Sequence, residues 1–384
     1  MTMRQTRRVF FAMCLGALAF GTSVASAQET IKIGAVYAST GNAAYFSRQV
    51  VQGVRVAIEE ANAAGGLLGG RKIELLLEDD EGRPDVSATK FRKLIDGGAV
   101  ALLSLSGAAS SLQNHRVAQE GKTPSLSVNI ADPLFQLQNP YLFLTSMPAQ
   151  VQVDAIIAYL RKNKMSKVAL VTDTGAVGAS VGRSIREGLT KGGVNIVTEQ
   201  TLERGATDFI PQWQRIRDAG AEIVVDAAQS PAEQILFRRT YKRLGLTLPT
   251  LGTTGWGFPV FAQQLGDQVD GIIYVDMLDV EKPEFLAYKD AYAKHHKDEP
   301  DLTNASGYDT MGVLIDAIKR AGKADREAIR TALQATANYK AVLGAKDTTF
   351  NFAPYRRWAF PPNGAVIRVY ESAKRGKVIF RGNN

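Results

Sequence analysis

Short apolar runs alternate with amphipathic stretches along most of this chain. The run from Ile31 to Tyr37 has the length of a buried strand. In the segment that follows, apolar side chains recur every three or four residues, at Phe46, Val50, Val54, Ile58 and Ala61. This period predicts an amphipathic helix, and Gly65-Gly66 predicts its left-handed end. Continuous apolar strands separated by helices predict an α/β chain whose parallel sheets are covered on both faces.

The alternation begins a second time near Val168, which predicts two α/β lobes. Further strands are predicted at Ile73–Glu78, Val100–Leu105, Val168–Thr172, Val194–Val197, Ile223–Asp226 and Gly271–Val275. Helices are predicted at Val86–Ile95, Gly182–Leu189 and Ala232–Leu244. We assign residues 28–146 to the first lobe and 147–276 to the second, with two strand-like runs, Ala365–Tyr370 and Lys377–Phe380, near the end of the chain.

The first 27 residues have the layout of a secretory signal peptide. They contain a basic start, an apolar run and a small-x-small cleavage site: Arg4, Arg7 and Arg8, then Val9–Phe20, then Ala25-Ser26-Ala27. An uncleaved anchor is the alternative, but the apolar run is shorter than the roughly 20 residues that span a bilayer. We therefore expect export to the periplasm and a mature chain that begins at Gln28.

Composition excludes several classes of protein. The single cysteine, Cys14, lies in the segment to be removed, so the mature chain has neither a disulfide nor a thiol nucleophile. The chain carries 46 Lys and Arg residues against 38 Asp and Glu residues, and three of the basic ones lie in the first eight positions. The remaining excess is small and dispersed, whereas a nucleic-acid binder would need a concentrated basic face. No nucleic-acid partner is expected.

No catalytic or metal-binding constellation is recognisable. The histidines His115, His295 and His296 lack a metal-ligand spacing, and a surface or half-buried role is expected for His115. Gly175 to Gly182 is glycine-rich but has the wrong spacing for a dinucleotide fingerprint. The acidic run Glu78 to Glu81 is interpreted as a solvated loop. We expect no cofactor, no metal and no enzymatic activity; a secreted α/β enzyme and an extracellular sensor lobe are the competing hypotheses.

Two predicted strand ends are suited to an anionic ligand. Ser104 to Ser111 is a run of small residues at which a helix begins, and Ser127 to Pro133 contains Asp132 as a candidate N-cap before Pro133. Unpaired N–H groups at helix starts favour an anion such as a carboxylate. Ordinary strand-to-helix turns would have the same sequences, so the residues alone leave both interpretations open.

The sequence resembles the branched-chain amino acid type, or type I, of periplasmic solute-binding protein. The resemblance rests on the turn Asn62 to Ile73, with Gly65-Gly66 and Gly69-Gly70, followed by a strand and Asp79-Asp80. It implies two flavodoxin-like (Rossmann-like) lobes joined by three hinge strands. It also implies a small-molecule ligand in the cleft and docking of the closed form on an ABC transporter permease. On this basis residues 277–355 return to the first lobe and 356–384 to the second, and we expect a monomer.

The resemblance also implies which positions bind the ligand. In the first lobe these are an aromatic position at Tyr45 and Phe46, a carboxylate-binding stretch made of Ser106, Gly107, Ala108 and Ala109, and a second loop with Asn129 and Ala131. In the second lobe, family tyrosines match Val177 and Gln229 or Ser230, and the glutamate that holds an α-ammonium group matches Thr254, next to Trp256.

These departures bear on the ligand. A buried ammonium group requires a partner of opposite charge, and Thr254 provides none. We therefore expect a carboxylic acid without an α-amino group, which could be aromatic if Tyr45, Phe46 and Trp256 form flat walls. A branched-chain or other amino acid is the alternative, with Asp226 or Asp309 as the acidic partner.

We predict that N-terminal sequencing of the exported protein begins at Gln28, because signal peptidase cleaves after small-x-small sequences. Recovery from the membrane fraction of a chain that retains residues 4–20 would contradict this prediction.

Overall fold

The computed structural model describes residues 29–41 and 43–382. The predicted export segment, residues 1–27, lies outside them. Among the described residues, none of the helices combines the length and the apolar character needed to cross a membrane.

The strands form two sheets. Their bounds are Ile31–Tyr37 (β1), Ile73–Asp79 (β2), Ala101–Ser104 (β3), Ser125–Ser127 (β4), Leu142–Leu144 (β5), Lys167–Asp173 (β6), Asn195–Leu202 (β7), Ile223–Asp226 (β8), Thr250–Gly252 (β9), Ile273–Asp276 (β10), Val366–Glu371 (β11) and Lys374–Arg381 (β12). The first sheet has the order β2-β1-β3-β4-β5 and is parallel throughout. The second has the order β12-β11-β10-β9-β8-β6-β7.

The second sheet departs from the predicted parallel arrangement only at one edge. Strands β11 and β12 run antiparallel to each other, and β11 runs antiparallel to β10. Two residues, Ser372 and Ala373, connect β11 to β12, and so short a connection permits only an antiparallel pair. The prediction of two α/β lobes with mainly parallel sheets is confirmed.

The helices cover both faces of each sheet. Their bounds are Ala44–Ala63 (α1), Pro84–Asp96 (α2), Ala108–Glu120 (α3), Asp132–Phe135 (α4), Ala149–Lys162 (α5), Ala176–Lys191 (α6), Ile210–Asp218 (α7), Pro231–Arg243 (α8), Pro259–Leu265 (α9), Pro283–Ala293 (α10), Leu302–Ala321 (α11) and Arg326–Gln334 (α12). In α1 the predicted stripe faces the core, since Val50, Val54 and Ile58 are buried. Gly65 and Gly66 have φ angles of 105° and 83°, as the predicted left-handed end requires.

The chain passes between the lobes more than once. It leaves the first sheet after β5 and leaves the second after β10, so that α10 to α12 pack on the first lobe. Near the end, Trp358 still pairs with Leu144 in the first sheet, and the Ala359 N–H donates to the Leu144 carbonyl at 2.8 Å. The final passage to the second sheet therefore follows Ala359.

Two polar residues that were expected at or near the surface are buried. His115 is 0% exposed, its Nδ1 lies 2.7 Å from Ser125 Oγ, and burial lowers the pKa of its imidazole to about 3. The surface or half-buried role expected for it is therefore wrong. Asp80 is also 0% exposed, and its carboxylate accepts a hydrogen bond from buried Ser106. The interpretation of the acidic run as a solvated loop is wrong at this position.

Helices α1 and α11 cross at backbone contact, and two glycines permit it. A β-carbon on Gly53 would overlap the carbonyl oxygen of Asn304, and one on Gly307 would overlap the carbonyl oxygen of Val50. Neither obstacle is a flexible side chain, so a larger residue would force the helices apart. This crossing attaches α11, which follows the second lobe in sequence, to the first helix of the first lobe.

We predict that Gly53→Ala lowers the free energy of unfolding, measured by urea titration, by about 3 kcal/mol or more. This value is at the upper end of the cost of overpacking. The matched control is Arg55→Ala on the exposed face of the same helix, for which we expect a change of about 0.5 kcal/mol or less. Equal stabilities of the two variants would contradict the backbone contact.

Candidate functional site

The predicted ligand-binding residues gather at one edge of each sheet. In the first lobe they follow the carboxyl ends of β1, β3 and β4, and in the second lobe those of β6, β8 and β9. The carboxyl ends of parallel strands in one sheet lie on the same edge, which is where open α/β sheets bind ligands. The two edges belong to different lobes, so a ligand between them would contact both.

The start of α3 offers backbone donors. Gly107 is its N-cap, with extended φ and ψ angles of −66° and 169°, and Ala108 and Ala109 form the first turn. N–H groups in the first turn of a helix have no intrahelical acceptor, and the helix dipole adds a partial positive charge there. Ala108 is half-buried and Ala109 is exposed, so a carboxylate can approach these groups.

Ser106, which immediately precedes this turn, holds it in place through a hydrogen bond to Asp80. Its hydroxyl donates to Asp80 Oδ1 at 3.0 Å, and the Gly82 N–H donates to the same oxygen at 2.9 Å. The other oxygen of Asp80 has no hydrogen-bond partner among the described residues. Because the hydroxyl proton of Ser106 points to Asp80, Ser106 positions the turn, and in this arrangement it can offer a ligand only an acceptor.

The loop after β4 differs from the expectation. The Ala131 N–H, expected to face the ligand, donates to Asn129 Oδ1 at 3.0 Å. Asp132 does not cap α4, because Ala131 is the N-cap, and Asp132 instead accepts a hydrogen bond from Ser184 at 2.6 Å. With its oxygen engaged, Asn129 retains its amide NH₂ as the group it can donate to a ligand.

The two predicted aromatic residues at the start of α1 have different environments. Tyr45 is 50% exposed, and Phe46 is half-buried against the main hydrophobic core. Burial of its ring raises the pKa of Tyr45, and the negative charge of Asp301 adds to this effect. Tyr45 is therefore the aromatic side chain available to a ligand, while Phe46 mainly packs.

The second lobe contributes side chains. Val177 is 62% exposed in the first turn of α6. Gln229 Nε2 donates to Thr253 Oγ1 at 2.9 Å. Ser230 is buried at the start of α8, and its hydroxyl has no hydrogen-bond partner within residues 29–41 and 43–382. Thr254 is half-buried, and its N–H donates to Gln152 Oε1 at 2.9 Å.

Trp256 belongs to the core of the second lobe and does not form a cleft wall. Its indole is 1% exposed, stacks on Phe261 at a centroid distance of 4.2 Å, and donates from Nε1 to Asp226 Oδ2 at 3.0 Å. The flat-wall interpretation of this residue is wrong, because a ligand cannot reach an indole that is only 1% exposed.

The two carboxylates considered as partners for a ligand's ammonium group, those of Asp226 and Asp309, accept hydrogen bonds from other groups of the protein. Burial raises the pKa of Asp226 to about 7, although the Ala228 N–H and the Trp256 indole both donate to it. Asp309 accepts the N–H groups of Val342 and Leu343 within the first lobe. Both are 1% exposed or less, so neither can meet an ammonium group in the cleft.

Sequence reasoning missed the contacts between the lobes. Besides the hydrogen bond from Ser184 to Asp132, a β-carbon placed on Gly257 of the second lobe would lie 3.4 Å from Leu302 Cδ2 at the start of α11. These pairs are far apart in sequence, and nothing in the local pattern identifies them. They place Asp132, three residues after Asn129, and Gly257, three residues after Thr254, against the opposite lobe.

We predict that the indole N–H resonance of Trp256 shifts with pH with a midpoint near 7, because ionisation of Asp226 changes its hydrogen bond. Asp226→Asn should abolish the titration. Trp213 is the internal control, since its indole donates to the Phe237 carbonyl. A Trp256 resonance that does not move between pH 5 and 9 would contradict the raised pKa.

Comparison with known proteins places the chain in a family. A family model described as periplasmic binding protein matches residues 30–359. The chain is 28% identical over 335 residues to the Leu/Ile/Val-binding protein BraC3 of Rhizobium johnstonii, covering 86% of this chain and 89% of that protein. It is 25% identical over 334 residues to the leucine-, isoleucine-, valine-, threonine- and alanine-binding protein of Pseudomonas aeruginosa, covering 85% and 87%.

Solved structures agree with the fold. The substrate-binding protein LivJ of Streptococcus pneumoniae, solved with isoleucine, superimposes with a TM-score of 0.77 at 22% identity, covering 92% of this chain and 100% of that one. A putative branched-chain amino acid ABC transporter protein of Rhodospirillum rubrum gives 0.77 at 24% identity, covering 91% and 100%. The chain therefore belongs to the periplasmic binding protein family and is a solute-binding protein, not an enzyme.

Proposed function

We propose that this chain captures a small aliphatic carboxylate between its lobes in the periplasm and delivers it to an ABC transporter permease. The observation that carries the proposal is the pair of strand-end edges, one on each lobe, in a chain of this family, with the first-turn N–H groups of α3 at one of them. The signal-peptide layout of the first 27 residues supports the periplasm. The repeated passages between lobes support closure by hinge bending.

The carboxylate end of the ligand is assigned to the first lobe. The N–H groups of Ala108 and Ala109 and the amide of Asn129 provide donors, and no charged side chain is needed because the helix start supplies partial positive charge. The remainder of the ligand would contact Tyr45 and, across the cleft, Val177. Both side chains are at least half exposed and present apolar surface.

Branched-chain amino acids are the first candidate ligands. The two curated relatives described above are named for binding leucine, isoleucine and valine, and one also for threonine and alanine. Val177 and Tyr45 are compatible with an aliphatic side chain. The ligand would then need a partner for its ammonium group, which could be supplied by hydroxyl or carbonyl oxygens such as those of Thr254 and Gln229.

Aliphatic acids without an α-amino group are the second candidate ligands, because three aspartates of the second lobe already have partners within the protein. The aspartates at the strand ends of the second lobe are occupied: Asp173 by the N–H groups of Gly175 and Gln229, Asp226 by Trp256, and Asp276 by Arg368. All three are buried. None of these three aspartates is therefore free to partner an ammonium group in the cleft, and they would compensate its desolvation poorly.

We predict that leucine and its α-keto acid, 4-methyl-2-oxopentanoate, both bind one-to-one in titration calorimetry, because they share the carboxylate and the side chain. The two ligands differ only at the α-carbon, so their affinity ratio reports on the ammonium partner. Thr254→Glu should raise this ratio in favour of leucine by about tenfold or more, as expected for a new hydrogen bond to a charged group.

Thr254→Gln is the matched neutral control and should leave the ratio nearly unchanged. Failure of both ligands to bind the folded wild-type protein, while solutes without a carboxylate do bind, would overturn the proposal.

A further inference from the structure

A second cavity lies between the lobes, away from the predicted ligand residues. Its volume is about 540 Å³, within the range of small-molecule sites. Helix α9 and the β11–β12 hairpin of the second lobe form one wall, and α10 of the first lobe forms the other. None of the ligand-binding positions predicted from the sequence is among its described lining residues. We call it the α9–α10 groove.

Apolar side chains line both walls of the groove: Pro259, Ala262, Leu278, Val280, Phe285 and Leu286. Leu278 and Phe285 are 1% and 6% exposed, so the accessible apolar surface belongs to the other four. Leu286 is 50% exposed, which is unusual for a leucine on a packed helix, and it borders the groove. An apolar chain or ring placed against this surface would remove it from water.

Five basic side chains line the groove, one on α10 and four on the β11–β12 hairpin, and three of them are neutralised. Ion pairs join Lys289 to Glu299 at 2.8 Å, Lys377 to Glu371 at 3.1 Å, and Arg368 to Asp276 at 2.8 Å. These three cations already have a carboxylate partner, so an entering anion gains little from them.

Lys374 and Arg375 are different. Among the described residues, no carboxylate lies within ion-pair distance of either side chain; Arg375 donates only to the Pro300 carbonyl, at 3.5 Å. Asp301 lies within electrostatic range of Arg375, but its carboxylate caps α11 by accepting the Thr303 N–H at 2.8 Å. The groove therefore has an excess of positive charge at one end of its apolar surface.

The backbone that carries these two cations is held in place. Arg368 donates to the carbonyl oxygens of Arg375 and Gly376 at 3.0 Å. The hairpin turn places Ser372 and Ala373 at φ angles of 53° and 58°, a left-handed conformation that favours glycine or asparagine. The Ala373 N–H donates to Asp270 Oδ1 at 2.8 Å and secures the turn. The cations are thus presented by a preorganised backbone.

We propose that the α9–α10 groove binds an amphipathic anion, with its apolar body against Pro259, Val280 and Leu286 and its carboxylate between Lys374 and Arg375. None of the predicted cleft residues lines this site, although Arg375 lies within electrostatic range of Tyr45, and the proposal does not depend on which solute the cleft takes. Because both lobes line the groove, its shape must change when the lobes move.

The test is titration calorimetry of the purified protein with decanoate, alongside decyltrimethylammonium and acetate. We expect one-to-one binding of decanoate, binding of the cation at least about tenfold weaker, and no detectable binding of acetate. The double variant Lys374→Ala/Arg375→Ala should weaken decanoate binding about tenfold or more, as should Leu286→Asp, because each removes one half of the site.

Lys377→Ala is the matched control, since Lys377 lies in the same hairpin but is already paired, and it should change the affinity less than twofold. Equal decanoate affinity in the wild type and the double variant, or equal binding of the cationic probe, would overturn the proposal. Displacement of decanoate by a ligand of the strand-end cleft would also overturn it. Flotation with phosphatidylglycerol vesicles distinguishes a free anion from a membrane lipid as the ligand. Co-flotation that requires Lys374 and Arg375 would show that the ligand is a membrane lipid and not a free anion.

Discussion

Buried charged side chains hold the stretch of chain that passes from the second lobe to the first after β10. Lys282 is 1% exposed, and its ammonium group donates to the carbonyl oxygens of Leu343 and Thr348 at 2.9 and 3.2 Å. Asp279 is 0% exposed and accepts from Arg381 Nε at 2.7 Å. Because a buried charge is costly unless it is paired and hydrogen-bonded, these contacts fix the segment after β10 against residues 343–348 and against the end of β12. This segment is a passage between the lobes, so its anchoring bears on how the two strand-end edges are placed.

The network also explains why the lobes can be built from segments distant in sequence. Helices α10 to α12 follow the second lobe but pack on the first, where the Gly53 and Gly307 crossing lets α11 approach α1 at backbone contact. The β11–β12 hairpin then completes the second sheet, and Arg381 at its end meets Asp279 at the start of the preceding crossing. Helix contact thus holds α11 on the first lobe, and buried charge holds the end of the second sheet against the passage after β10.

The local sequence pattern predicted those helices and strands that have enough residues to show a hydrophobic period. Strands β1 and β8 have the predicted bounds, and the helical stripe of α1 faces the core as expected. Strands β4, β5 and β9 have three residues each, too few for alternation to be recognised. The burial of His115 and Asp80 depends on partners, Ser125 and Ser106, whose proximity only the folded chain creates. The predicted site residues follow strand ends in both lobes, but the sequence could not show which backbone donors are already used within the protein, as at Ala131.

The two halves of the cleft differ in a way that bears on ligand choice. The first lobe presents mainly backbone N–H groups at the start of α3, and substitution of Ala108 or Ala109 by any residue but proline preserves these donors. The second lobe presents the side chains of Val177, Ser230 and Thr254, which substitution changes directly. We therefore expect that a carboxylate can be bound by a wide range of sequences with this fold, and that the second lobe selects the rest of the ligand. The buried aspartates of that lobe are engaged in holding its turns, so we expect the group opposite the ligand's carboxylate to be selected at half-buried positions such as Thr254.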